Sequence, residues 1–307
     1  MICRVLFAGF LLCSLLTGTS GLTAEDENAP ARPARRIDPE RLKQLRGRLG
    51  NAQPDLSKLK RMSWKVGETT REALVYFPPE NKAADEKKTQ VPLVFAFHGH
   101  GGRSEYSARK LPIHEFWPEA ICVYPQGLPT AVPVIDVEGK FPGWQKYVGD
   151  QNDRDLAFFD AMLKSLKGDH PIDPQRIYST GHSNGACFTY VLWAARGDTF
   201  AAVAPIAGFV NLRDLKSLKP LPMLHVAGEQ DKIVKLDWQE RSIEMARKLN
   251  GCDAEGKPAG ELCTEYSSKE GPPVVAYIHP GAHEITEGAP KRIAEFFKLQ
   301  KKREENE

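Results

Sequence analysis

Apolar runs that end in small or polar residues recur along this chain from Met62 onward. The stretch SWKVGETTREALVYFPP predicts two strands around a Gly-Glu turn. Further runs are almost continuously apolar, which is typical of strands buried on both faces of a sheet. They read VPLVFAF, AICVYP, RIYST, FAAVAPI, PMLHVAG and VVAYIH.

Segments with helical periodicity lie between these runs. They cover Asp153–Lys167, Asn184–Ala195, Leu236–Leu249 and Pro290–Lys301. Strands that alternate with helices predict one α/β domain, in which a mostly parallel central sheet carries helices on both faces. Because ligands bind at the carboxyl ends of the strands in such sheets, we expect the functional side chains there.

The first part of the chain has a different composition. Residues 1–24 combine a positive start with an apolar stretch that is too short to span a bilayer, and they predict a signal peptide. A lipid anchor on Cys13 is the alternative, although Leu12 stands where a small residue is needed. Residues 25–58 are rich in proline and charge and predict a linker with one short helix. The folded domain would then cover residues 59–307 of a secreted or periplasmic protein.

The charge balance bears on the kind of partner to expect, and the cysteine positions bear on disulfide formation. The 42 basic and 40 acidic residues give a net charge of +2, which gives no argument for binding to nucleic acid or to an anionic membrane surface. No stable membrane insertion is expected once the signal peptide is removed. Cys252 and Cys263 flank a stretch rich in glycine, proline and charge. In an oxidising compartment this pattern predicts a disulfide that closes a surface loop.

The sequence GHSNG places Ser183 between two glycines, each two residues away. A predicted strand leads into this motif and a predicted helix follows it. For the serine to project above the sheet, the chain must turn within one residue, and glycines remove the Cβ atoms that would clash in that turn. The context predicts a nucleophile elbow, whereas chance occurrence of the pattern is the alternative interpretation.

A serine hydroxyl needs a general base and an orienting acid to act as a nucleophile. Where such an elbow is used, the chain order is serine, acid, histidine. Asp231 follows a later predicted strand, and His283 follows the last one. We assign Asp231 as the acid and His283 as the base.

Other residues could take these two roles. Glu229 is expected to point aside and Asp237 to lie solvated on a helix. His279 falls within the last strand and is expected to pack in the core, and His182 is expected to point away from its neighbour Ser183.

The glycine-rich stretch HGHGG follows an early predicted strand and is suited to binding an oxyanion. Two backbone N–H groups are needed for this task. We assign them to His100 and Asn184, with Gly99 as the alternative to His100. A metal site at His98 and His100 is the other interpretation, but no third ligand lies near them in the sequence, so we expect no metal and no cofactor.

The combination of HGHGG, GHSNGA, GEQD and GAHEI resembles the secreted α/β-hydrolase esterases, over roughly residues 62–300. The nearest group is the polyhydroxybutyrate depolymerase and feruloyl or acetylxylan esterase family. This resemblance implies the α/β-hydrolase fold and the roles given above to Ser183, Asp231 and His283. It also implies a late disulfide, here Cys252–Cys263.

The chain departs from that family in two places. Glu284 and the next two residues replace a tryptophan-proline pair that often follows the family's histidine, and His100 replaces a frequent cysteine. The long segment 128–147 is expected to overhang the cleft. There Trp144 and Tyr147 could stack on a sugar or feruloyl ring, or Trp144 could anchor the segment to the core. The acyl and alcohol preferences therefore stay open.

These features predict a secreted serine esterase that hydrolyses carboxylic esters, either small or polymeric, through an acyl-enzyme. One alternative is a serine peptidase of the same fold, although the stretch before the first strand is too short for a sizeable gating domain. Another alternative is a catalytically silent module that binds a polymer, although no catalytic residue is missing.

Overall fold

The computed structural model describes residues 55–79, 90–133 and 135–302. The predicted signal peptide and its lipid-anchor alternative lie outside the described residues, as does the predicted linker up to residue 54. The first strand begins at Leu59, where the folded domain is predicted to start. None of the helices in the described ranges has the length and apolar character needed to cross a bilayer.

Within the described residues, ten strands form one sheet in the order β1-β2-β4-β3-β7-β8-β9-β12-β11-β10. The six strands from β4 to β12 in this order run parallel, and the pairs at both edges are antiparallel. This topology confirms the predicted mostly parallel sheet. The strands, which include a separate β5-β6 pair, are β1 Leu59–Val66, β2 Thr69–Tyr76, β3 Val91–Phe97, β4 Ile121–Pro125, β5 Leu128–Pro129, β6 Pro142–Gly143, β7 Ile172–His182, β8 Ala202–Ile206, β9 Met223–Gly228, β10 Lys257–Pro258, β11 Cys263–Tyr266 and β12 Val274–His279.

Helices cover both faces of the sheet, as predicted. Phe95 and Phe97 of β3 pack on one face with α3, α4 and α5, whereas Val94 and Ala96 pack on the other with α1, α2 and α6. This alternation follows from the two-residue period of a strand. The helices are α1 Ser104–Lys110, α2 Ile113–Phe116, α3 Arg154–Asp169, α4 Asn184–Arg196, α5 Leu236–Leu249 and α6 Ala289–Leu299.

The predicted hairpin at the start of the domain is confirmed. Strands β1 and β2 pair antiparallel through the turn at Gly67 and Glu68. Gly67 has a φ of +57°, a conformation that glycine adopts without a Cβ clash.

A buried ion pair joins this hairpin to the helix layer. Arg71 Nη2 of β2 lies 2.9 Å from Asp155 Oδ1 at the start of α3, and both side chains are almost fully buried. The second carboxylate oxygen, Asp155 Oδ2, accepts the N–H of Gln145 at 2.9 Å. The pair therefore also holds the segment that leads from β6 into α3.

The predicted disulfide between Cys252 and Cys263 is wrong in this structure, where both thiols are free. Cys252 follows α5 and packs with the cluster on the α3–α5 face of the sheet. Cys263 opens β11, directly opposite Tyr277 of β12, and packs with the cluster on the opposite face. Sequence spacing suits a bridge, but the sheet separates the two side chains.

Candidate active site

Ser183 occupies a sharp turn between β7 and α4. Its backbone has a φ of +56° and a ψ of −118°, a combination that an L-residue adopts only under strain of roughly 1–3 kcal/mol. The Ser183 N–H donates to Ile206 O at the end of β8, at 2.9 Å. This bond ties the strained residue to the neighbouring strand.

The two glycines of the motif are required because the turn is tightly packed. A Cβ on Gly181 would lie 2.5 Å from Gly185 O, and a Cβ on Gly185 would lie 2.5 Å from both Phe97 O and His98 O. Real Cβ atoms do not approach backbone this closely, so the strand-turn-helix geometry accepts only glycine at both positions.

Three side chains meet above the carboxyl ends of β7, β9 and β12. His283 Nε2 lies 2.8 Å from Ser183 Oγ, and His283 Nδ1 lies 2.7 Å from Asp231 Oδ2. An ionised carboxylate only accepts hydrogen bonds, so Nδ1 carries the proton and Nε2 is free to accept from the serine hydroxyl. This arrangement is suited to general-base activation of Ser183.

Backbone and side-chain donors hold the Asp231 carboxylate in place. The N–H groups of Ile233 and Val234 both donate to Asp231 Oδ1 at 2.9 Å. Gln239 Nε2 donates to Asp231 Oδ2 at 3.2 Å from within α5.

Gln239 belongs to a buried chain of hydrogen bonds. His225 Nε2 lies 3.2 Å from Gln239 Oε1, and His225 Nδ1 lies 2.8 Å from the hydroxyl of Tyr190. Because Gln239 Oε1 accepts from His225 Nε2–H, its amide nitrogen must face Asp231. Sequence reasoning missed Gln239, because nothing in the pattern DWQERS marks one polar helix position as buried.

The structure keeps the rival acids away from the serine. Glu229 is exposed, and its N–H donates to His279 O at 2.8 Å. Asp237 is exposed on α5 and lies 3.7 Å from Arg241 Nη2. Neither acid hydrogen-bonds to the imidazole of His283.

The rival histidines differ in their position. His279 is buried, and its Nδ1 accepts the N–H of Gly281 at 3.1 Å. His182, which is expected to point away from Ser183, lines the same cleft, and its ring centroid lies 4.8 Å from that of His283. Burial, followed by the proximity of His283, lowers the pKa of His182 to about 3. His182 is therefore a neutral packing partner of His283.

The loop after β3 lies directly against the serine. A Cβ on Gly99 would lie 3.3 Å from Ser183 Cβ. Among the described residues, neither the His100 N–H nor the Asn184 N–H has a hydrogen-bond acceptor. Two unpaired donors beside a nucleophile are suited to stabilising a tetrahedral oxyanion.

His98 anchors this loop and was considered from the sequence only as a metal ligand. Its Nδ1 lies 2.7 Å from Gly99 O, and its Nε2 accepts the N–H of Gly127 at 2.9 Å. Burial lowers the pKa of His98 to about 4, which keeps the ring neutral with the proton on Nδ1. No group of three or more metal-ligating side chains occurs in the described ranges.

Of the two roles left open for Trp144, the structure supports the anchor to the core, because a fully buried ring presents no face to a substrate. The side chain is fully buried, stacks on Phe188 with centroids 5.4 Å apart, and donates from Nε1 to His98 O at 2.9 Å. Tyr147 does not line the cleft that contains Ser183, and the guanidinium of Arg213 lies 4.2 Å from its ring centroid.

An open cleft of about 720 Å³ contains Ser183 and His283. Tyr106, Ile135 and Ile233 provide exposed apolar surface along it. The cleft is large enough for a drug-sized group and opens to solvent, so a longer substrate could extend beyond it.

Comparison with known proteins agrees with this architecture. A superposition on the crystal structure of a thermostable esterase covers 80% of this chain and 64% of that one, with a TM-score of 0.57 and 17% identity. The chain has the α/β-hydrolase fold. The model of the prolyl oligopeptidase family matches residues 145–241, which in this α/β-hydrolase include Ser183 and Asp231 but not His283.

Relatives by sequence are esterases. A bifunctional acetylxylan esterase/xylanase of Neocallimastix patriciarum is 25% identical over 157 residues, which are 51% of this chain and 21% of that protein. Feruloyl esterase C of Emericella nidulans is 27% identical over 212 residues, or 64% of this chain and 71% of that one. The predicted relation to feruloyl and acetylxylan esterases is confirmed. The chain spans less than two thirds of the length of the first curated relatives it matches.

Proposed function

We propose that this chain is a serine esterase that hydrolyses carboxylic esters through an acyl-enzyme. The observation that carries the proposal is the continuous hydrogen-bonded array Ser183–His283–Asp231, with heavy-atom distances of 2.8 and 2.7 Å. The similarity to feruloyl and acetylxylan esterases supports the same reaction class.

In the acylation step, Ser183 Oγ attacks the ester carbonyl carbon while His283 Nε2 takes the hydroxyl proton. The carbonyl oxygen becomes an oxyanion, which accepts the N–H groups of His100 and Asn184. Asp231 holds the imidazole in its tautomer and stabilises the imidazolium. When the tetrahedral intermediate collapses, His283 returns the proton to the leaving alcohol, and the acyl group stays on Ser183.

Deacylation repeats these steps with water as the nucleophile. His283 removes a proton from water, the hydroxide adds to the acyl carbon, and collapse returns the proton to Ser183 Oγ. The array and the two backbone N–H groups account for the chemistry of both halves.

The experiment that tests this mechanism measures turnover of 4-nitrophenyl acetate and butyrate. Ser183→Ala should lower kcat by at least about 1000-fold, because it removes the nucleophile. Ser165→Ala, at a half-buried position of α3 that does not line the cleft, is the matched control and should keep wild-type activity. Equal rates for Ser183→Ala and wild type would refute the proposal, as would a fluorophosphonate probe that labels both proteins equally.

The substrate is expected to be a feruloyl, acetyl or polyhydroxyalkanoate ester. The cleft opens to solvent, which suits a polymer chain, and its apolar residues suit an aryl or short acyl group. Comparison of kcat/KM for methyl ferulate, acetylated xylan and short-chain polyhydroxybutyrate would rank these classes.

We also propose secretion, which requires that the mature N-terminus of the exported protein lies near residue 25.

A serine peptidase is the second candidate, favoured by the match of residues 145–241 to the prolyl oligopeptidase family. The same array could cleave an amide, provided that His283 protonates the leaving amine. Cleavage of peptide anilides with no turnover of 4-nitrophenyl esters would select the peptidase.

A further inference from the structure

One side of the cleft is strongly basic. Arg103, Arg109 and Lys110 line the same cavity as Ser183 and His283, and all three side chains are exposed. The whole chain has a net charge of only +2, so this cluster is a local feature of the cleft.

These three cations have no carboxylate partner among the described residues. Glu105 is the only acid among the described residues that line the cleft, and it is already engaged. Glu105 Oε1 lies 2.5 Å from Arg61 Nη2, and Glu105 Oε2 accepts the hydroxyl of Ser104 at 3.2 Å. The cleft therefore presents uncompensated positive charge.

The fold fixes the distance between this charge and the nucleophile. Helix α1 begins two residues after the glycine-rich loop, and Gly102 N–H closes that loop on Gly99 O at 3.0 Å. Ser107 Oγ donates to Ala96 O at 3.1 Å, which fastens α1 to the end of β3. The backbone that carries the cations is thus attached to β3, the strand that leads into the glycine-rich loop.

We propose that Arg103, Arg109 and Lys110 bind a carboxylate on the substrate, so that this enzyme prefers esters that carry a negative charge. The inference rests on the proposed esterase function and specifies its substrate class. Guanidinium groups pair with carboxylates in a bidentate geometry, and an ammonium adds a further attractive charge. Tyr106, exposed between them on α1, offers a ring for the carbon skeleton of such a substrate.

Matched ester pairs test the preference and locate the carboxylate. The first pair is 4-acetoxybenzoate and its methyl ester, with the charge on the leaving alcohol. The second pair is the mono-4-nitrophenyl ester of adipic acid and 4-nitrophenyl hexanoate, with the charge on the acyl group. For each pair, the charged-to-neutral ratio of kcat/KM is compared between variants, which cancels intrinsic reactivity.

In at least one pair, the triple variant Arg103→Gln/Arg109→Gln/Lys110→Gln should lower this ratio by roughly tenfold or more, since each cation contributes about a fivefold attraction at low salt. Lys164→Gln/Lys167→Gln on exposed α3 positions is the control and should keep the wild-type ratio. The wild-type ratio should also fall as the salt concentration rises, which needs no variant.

The outcomes separate the two proposals. Turnover of the neutral esters that depends on Ser183, with a ratio unchanged by salt and by the triple variant, would overturn the carboxylate site and leave the esterase function intact. Absence of turnover for every ester would overturn both.

Discussion

At the scale of single residues, the site depends on one strained backbone and the groups that brace it. Ser183 adopts a φ of +56°, and its N–H is held by Ile206 O. The residue was identifiable from sequence because only glycine fits at 181 and 185. Gln239 and His98 were not identifiable, because their roles depend on contacts with distant parts of the chain.

Gln239 provides a test at this scale. Gln239→Met removes the donor to Asp231 Oδ2 and should lower kcat roughly tenfold with little change in KM, because a hydrogen bond to a charged group contributes about 1.5–3 kcal/mol. Steady-state kinetics on 4-nitrophenyl butyrate measures both constants.

The control for this prediction is Ser242→Ala, one turn further along α5. Ser242 Oγ accepts the N–H of Val210 at 3.1 Å and donates to Trp238 O at 3.1 Å, and it makes no hydrogen bond to Asp231. Both variants should lose stability, but only Gln239→Met should lose kcat. An equal loss of kcat in both would show that Gln239 acts through general stability alone.

At the scale of elements, helix and strand ends were predicted closely where a local signal marks them. The predicted helix Leu236–Leu249 has the observed bounds, and α4 begins at Asn184 as predicted. The segment between β5 and α3 had no such signal, because its conformation follows from buried contacts. Trp144 fills the core there, which the scattered prolines and aromatics of this segment do not specify.

The Arg71–Asp155 pair links the edge hairpin to the helix layer. Arg71→Met should lower the free energy of unfolding by about 3 kcal/mol, because it removes the main cation of the buried Asp155 carboxylate and leaves only the less buried Arg154, whose Nε lies 3.7 Å from Asp155 Oδ2. Chemical denaturation measures this loss. Arg241→Met, which breaks the exposed pair with Asp237, should cost no more than about 1 kcal/mol.

A second variant separates the charge effect from lost packing. Adding Asp155→Asn to Arg71→Met removes the buried charge that has lost its main cation, so the double variant should be more stable than Arg71→Met alone. A double variant that is less stable than the single one would contradict this account.

At the scale of the whole molecule, buried neutral histidines couple folding to pH. Burial lowers the pKa of His98, His114 and His225 to about 4 each. In the unfolded chain a histidine titrates near about 6.5. As the pH falls from about 6.5 to about 4, the unfolded state binds protons that the native state does not, so the native state loses stability.

We therefore expect the free energy of unfolding to fall across this window with a slope of up to about 1.4 kcal/mol per pH unit for each such histidine. His114 is one of these buried histidines and lies against Tyr124 and Glu115. His114→Gln should make the slope shallower, because the variant has one histidine fewer that binds a proton only in the unfolded state. Denaturation at a series of pH values measures the slope. Above about pH 7.5 the free energy of unfolding should depend on pH in the same way in wild type and His114→Gln. The same slope in both proteins below pH 6 would contradict the prediction.

The sequence by itself determined the features that depend on local chain geometry and on order along the chain. Strand and helix periods specify the parallel sheet, and the glycines around Ser183 specify the elbow. The serine-acid-histidine order then singled out Asp231 and His283, because parallel strands bring their carboxyl ends to one edge.

Tertiary structure alone decided which side chains are buried, paired or separated. It placed Cys252 and Cys263 on opposite faces of the sheet and buried Trp144. It also brought Arg103, Arg109 and Lys110 to the cleft that contains Ser183, where none of them pairs with an acid of the described ranges. The physical reason is that burial and charge pairing are set by residues far apart in sequence. Their proximity exists only after the chain has packed.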